Sequence, residues 1–84
     1  MSRPVKRSFA IKGHRTSISL EAPFWDALKD AATEQRSNVS AIVARIDATR
    51  GKTGLSSAVR IWLLTYFRTQ RQAQIGEGPL DKVL

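Results

Sequence analysis

The 84-residue chain has no cysteine, one histidine and one methionine. The absence of cysteine excludes disulfides and every thiolate metal site. A lone His14 excludes the common histidine-cluster zinc sites, so no metal and no cofactor is expected. The longest unbroken apolar runs are four residues, Ala41 to Ala44 and Ile61 to Leu64. Neither approaches the roughly 20 residues of a membrane-spanning helix. The only apolar stretch near the basic N-terminus is Phe9-Ala10-Ile11, too short for a signal-peptide core, so a cytoplasmic location and no membrane partner are expected. A chain this short buries a marginal core. With disulfides and metal excluded, oligomerisation is the expected support.

Acids are also scarce. Fourteen Lys and Arg face seven Asp and Glu, a net charge of +7. The imbalance is concentrated at one end. Arg3, Lys6, Arg7, Lys12 and Arg15 lie in the first 15 residues with no acid among them, while the remainder carries nine bases and seven acids. A basic arm on a near-neutral body points to a polyanionic partner. Charge alone leaves DNA, RNA and an anionic membrane open. No nucleophile–base pair, metal cluster, glycine-rich phosphate loop or carboxylate pair is visible, so no enzymatic activity is expected. The basic residues also do not lie opposite an apolar helical stripe, as a membrane-surface helix requires.

Residues 1–13 form the basic arm. Within it Arg7, Phe9 and Ile11 alternate with Ser8, Ala10 and Lys12, which permits an additional strand ending in a turn at Lys12-Gly13-His14. A flexible arm is the other reading of its first residues. Residues 15–20, Arg-Thr-Ser-Ile-Ser-Leu, alternate strictly: Thr16, Ile18 and Leu20 share one face, and Arg15, Ser17 and Ser19 the other. Period two predicts a half-buried strand. Pro23 suits a first helical turn. Phe24, Leu28, Ala31 and Ala32 then predict a helix over about 23–34. Ser37 or Asn38 can cap a second helix to about residue 50, with the stripe Val39, Ile42, Val43, Ile46. Gly51 to Gly54 is a loop. A third helix is expected over 55–71, followed by a mobile tail at 72–84. Leu55, Ala58, Val59, Trp62, Leu63 and Tyr66 form its stripe, and Ile61, Leu64 and Phe67 widen it around the cylinder. So wide an apolar surface needs more cover than one small chain supplies, which makes part of this helix a subunit interface.

A single strand before three helices leaves backbone donors and acceptors unpaired. Antiparallel pairing with the same strand of a second chain would satisfy them. The resulting two-stranded ribbon has the width of the DNA major groove. Its inner face, Thr16, Ile18 and Leu20, would join Ile42, Ile46, Trp62 and Phe67 in the core and dimer interface.

The order of motifs resembles a known family. Arg15-Thr16-Ser17-Ile18-Ser19-Leu20, a helix, then Ser40-Ala41-Ile42-Val43 is similar to the ribbon-helix-helix superfamily of DNA-binding repressors. Gly13 to Glu21 (GHRTSISLE), Phe24-Trp25-x-Ala27-Leu28 and Leu55 to Arg60 (LSSAVR) resemble, more narrowly, a family of short bacterial ribbon-helix-helix proteins. The resemblance covers about residues 6–68. It implies a mainly α fold with a short N-terminal strand, dimerised through an intermolecular antiparallel ribbon, with an additional third helix. It implies a homodimeric, sequence-specific repressor of double-stranded DNA. Arg15, Ser17 and Ser19 would contact bases. Arg3, Lys6, Arg7, Lys12 and His14 would contact the backbone, together with the helix N-terminus at Asn38, Val39 and Ser40. Ser56 and Ser57 are the alternative phosphate clamp, since LSSAVR itself resembles the start of a superfamily second helix; strand-to-helix spacing favours the first register. A different function is a protein-interaction module or antitoxin that uses the apolar C-terminal helix.

Overall fold

The computed structural model describes residues 3–76. It begins with a β-hairpin: β1 (Val5–Ile11) and β2 (His14–Leu20) pair antiparallel within the one chain, from Ile11 opposite His14 to Val5 opposite Leu20. The two turn residues, Lys12 and Gly13, have φ of 51° and 80°. Positive φ at both positions is the turn geometry whose twist matches that of antiparallel strands. Glycine adopts it freely, while Lys12 bears a steric cost.

This closure corrects the lone-strand argument. The arm supplies the missing partner strand, so β2 is paired without a second chain. Alternation then sorts the side chains. Phe9, Ile11, Thr16, Ile18 and Leu20 turn inward, and Ile18 and Leu20 are fully buried. Lys6, Ser8 and Ala10 turn outward opposite Ser19, Ser17 and Arg15.

Helix α1 (Ala22–Glu34) follows β2 at once. Glu21 provides no side-chain cap, but its carbonyl accepts from the N–H groups of Phe24 and Trp25, and Pro23 occupies the first turn. Trp25, Leu28, Ala31 and Ala32 are its buried face. The helix stops at Arg36, whose φ is 53°. Ser37 N–H returns to the Ala32 carbonyl and Arg36 N–H to that of Thr33. These two bonds make a left-handed C-terminal cap, with arginine where glycine is usual.

Helix α2 (Val39–Thr49) starts at Asn38, whose Oδ1 accepts from Ala41 N–H at 2.8 Å. A cap of this kind contributes about 1 kcal/mol. Ile42, Val43 and Ile46 are buried. In the loop that follows, Arg50 donates to Asp47 at 2.7 Å and to the Thr53 carbonyl at 2.6 Å. Helix α3 (Leu55–Gly76) runs past the expected end at residue 71, and residues 72–76 are helix rather than tail. The remaining expected tail, 77–84, lies outside the described residues.

One core joins the hairpin to all three helices: Ile18 and Leu20 from β2, Leu28 from α1, Ile42 and Val43 from α2, and Val59 from α3 are its largest fully buried side chains. Of the residues expected in the core or interface, Ile18, Leu20, Ile42 and Ile46 are buried within the single chain, and Thr16, Trp62 and Phe67 are half-buried.

Candidate nucleic-acid interface

The outer face of the hairpin is built from small and cationic side chains. Lys6, Ser8, Ala10, Arg15 and Ser17 are exposed, and Ser19 is half-buried. The hydroxyls of Ser8 and Ser17 face each other across the ladder at 3.3 Å. Residues 3–20 contain no Asp or Glu. Lys12 is exposed at the tip beside His14, and Arg3 is exposed just before β1. The three residues expected to read bases therefore share one solvent-facing surface, joined by Lys6, Ser8 and Ala10 of β1.

Arg7 departs from that set. It lies on the inward side, opposite Ile18, with its guanidinium 5.2 Å from the Trp25 ring centroid. Phe9 stacks on the same indole at 6.0 Å. Arg7, Phe9 and Trp25 border an open groove of about 390 Å³ together with Ser8, Lys29 and Val39. Lys29 was not visible as a site residue in the sequence, where it is one more polar position on an amphipathic helix. Its position four residues after Trp25 is the signal that places it on the Trp25 side of α1.

Helix N-termini lie on both flanks of the hairpin. Val39, the first residue of α2, borders the groove beside β1. The first N–H groups of a helix lack an intrahelical acceptor and carry the positive end of its dipole. Asn38 satisfies Ala41 N–H, which leaves the Val39 and Ser40 amides free of that cap. On the other flank, Ser56 in the first turn of α3 accepts from Ser19 N–H at 3.1 Å. Ser56 is thus committed to holding β2, while Ser57 is exposed.

The end of β2 is held further by Arg60, which donates to the Ser19 carbonyl at 3.2 Å and to Glu21 Oε1 at 2.9 Å. The guanidinium also lies 5.7 Å from the Phe24 ring. Donation from its own backbone amide, and then from Arg60, holds the Glu21 carboxyl below its ordinary value of 4.5. A lowered folded-state value means stability that is complete above the ordinary carboxylate range and is lost as pH falls through the depressed value. The melting temperature is therefore expected to fall on acidification below pH 4.5. Glu21→Gln should flatten part of that fall; an unchanged acid profile in Glu21→Gln would remove the pair from this role.

The ribbon-helix-helix domain model matches residues 4–67. The chain belongs to the ribbon-helix-helix domain family. The matched span takes in both strands, α1, α2 and α3 as far as Phe67. No curated protein and no solved structure matches the chain. Membership places it among DNA-binding regulators, a fold not typically enzymatic whose members generally bind DNA as dimers. Among the described residues, no helix is long and apolar enough to cross a membrane.

Proposed function

We propose that this ribbon-helix-helix chain is a homodimeric, sequence-specific DNA-binding protein, a bacterial transcriptional repressor, that lays its own β1–β2 hairpin into the major groove. The carrying observation is the acid-free outer face of Lys6, Ser8, Ala10, Arg15, Ser17 and Ser19. A two-stranded ribbon has the width of the groove. Arginine there can donate twice to one guanine, and serine can donate to or accept from several base edges. Lys6 and Lys12, with Arg3 and His14, would contact phosphates along the ribbon. The free amides of Val39 and Ser40, with Arg7 and Lys29 near them, favour a phosphate at the β1 flank. Phosphate contacts set affinity and salt dependence, and Arg15, Ser17 and Ser19 of the outer face set base choice.

The test is fluorescence anisotropy with two duplexes, the DNA upstream of the protein's own gene and a scrambled control, each titrated from low to physiological salt. Preference for the upstream duplex should survive at physiological salt. Lys6→Ala and Lys12→Ala should each lower the salt slope by about 1 and leave the preference intact. Equal binding to both duplexes that vanishes with salt would overturn sequence-specific reading of that site.

The exposure of Ile61 and Leu64 on α3 supports a second reading, a protein-interaction module or antitoxin in which DNA binding is secondary.

A further inference from the structure

A ribbon shared between two copies of β2 would present Arg15, Ser17 and Ser19 twice, about a two-fold axis. The closed hairpin presents them once. Across the ladder from them stand Ala10, Ser8 and Lys6, a different set on the same outer face. The ribbon of one chain is therefore asymmetric, and β1 makes up half of it.

The ladder brings the two sets close together. Ser19 N–H points away from β1, because it donates to Ser56 Oγ. Main-chain direction alternates along a strand, so the amides of Ser17 and Arg15 point the same way. Those of Lys6, Ser8 and Ala10 point to the outer edge of β1. The three facing pairs thus exchange no main-chain hydrogen bond. Pairs of that kind are the closer ones, with about 4.5 Å between Cα atoms. The 3.3 Å between the Ser8 and Ser17 hydroxyls follows from that spacing.

Serine is a short side chain. For Ser17 to touch a base edge, β2 must lie deep in the groove. β1, one strand spacing of about 4.8 Å away, must then lie there with it. Ser8 and Ala10 are exposed and too small to hold β1 off the bases. The distance between the two hydroxyls is no more than one base-pair step of about 3.4 Å. Two hydroxyls that share one hydrogen keep one O–H to donate and lone pairs to accept on both oxygens. That set suits the adjacent donors and acceptors that base pairs present in the major groove.

We infer that Ser8 of β1 is a specificity-determining residue, acting with Ser17 on the same or the adjacent base pair, and that the element read by one hairpin is not a palindrome. This assignment rests on the major-groove reading proposed above and extends it to the strand that carried no expected base contact there.

Selection from a pool of duplexes with a randomised central segment, at physiological salt and with sequencing of the bound fraction, provides the test. The full chain is compared as wild type, Ser8→Ala, Ser8→Asn and Ser17→Ala. Ser8→Ala should reduce the preference at one base pair by about 5-fold or more and leave the other positions as they are. That position should coincide with, or adjoin, the one relaxed by Ser17→Ala. Ser8→Asn, whose carboxamide matches the acceptor and donor of adenine, should enrich adenine there. Thermal melts of the variants should match the wild type, because both hydroxyls are exposed. An element that both Ser8 variants select unchanged, or an even loss at every position, overturns the inference alone. So does a Ser17→Ala effect at two positions related by a two-fold axis within one groove, the mark of a ribbon shared between chains. A wild-type chain that enriches no element overturns the inference together with the function on which it rests.

Discussion

Replacing Trp25 by alanine is expected to cost about 3–5 kcal/mol and to detach β1 from the helices. The side chain is 3% exposed. Its Nε1 donates to the Val5 carbonyl at 2.9 Å, its ring stacks with Phe9, and the Arg7 guanidinium lies over it. One residue of α1 therefore holds β1 near both ends, and the alanine variant loses packing and a hydrogen bond together. A domain of this size has a total stability of only about 4–12 kcal/mol, so the variant approaches the unfolding threshold. Urea denaturation measures the loss, and Trp62 remains as a fluorescence reporter. Trp25→Phe keeps much of the ring and should cost less. Amide exchange in β1 should accelerate more than in α2. A loss below about 1 kcal/mol, or equal acceleration everywhere, would show that β1 is not held through this indole.

That anchor marks the boundary of what could be read from sequence. Local periodicity made the helices legible: the Val39, Ile42, Val43, Ile46 stripe lies in a helix that begins one residue after the Asn38 cap. The alternation from Arg15 to Leu20 predicted a strand and sorted its faces as the structure has them. The arm also alternates, but Arg7 interrupts the inward pattern of Val5, Phe9 and Ile11. Which strand pairs with β2 is a long-range matter that alternation does not encode. A lone strand needs a partner; that partner can be the preceding segment as readily as another chain. One further miss has a local cause. Helix α3 continues through Gln72, Ala73 and Gln74 because glutamine and alanine are good helix formers, although polar composition resembles a tail. Helix α1 ends at Glu34, where its apolar spacing predicts; the left-handed cap at Arg36 that follows is a conformation that favours glycine, so residue type gave no sign of it.

The candidate site divides in the same way. Arg15, Ser17 and Ser19 were placed on one face by period two alone. The contribution of Lys6 and Ser8 to that face appears only with the hairpin register, and the pairing of Arg60 with Glu21 and Ser19 spans about forty residues with no local signature. The Arg60 contacts matter to the site because they fix the end of β2, the strand that carries all three expected base contacts, within reach of α3.

Arg15→Ala is expected to weaken binding to the preferred duplex by about 1–3 kcal/mol, roughly 5- to 150-fold, and to relax base preference. Arg15 is exposed on the outer face opposite Ala10, whose methyl group leaves the guanidinium unobstructed. A guanidinium in that position can donate in parallel to the two acceptors on the major-groove edge of guanine. Loss of the same charge from a phosphate contact would instead weaken binding evenly on all sequences and reduce the salt slope by about 1. Arg15→Lys separates the two roles: it keeps the charge and loses the planar pair of donors. A base-reading Arg15 requires that the lysine variant retain most of its affinity for scrambled DNA while losing preference for the upstream duplex. Thermal melts of both variants should match the wild type, since no core contact is removed. Equal losses on the two duplexes in Arg15→Ala would reassign the residue to the phosphate backbone and leave Ser17, its neighbour on the same face, as the next position to test.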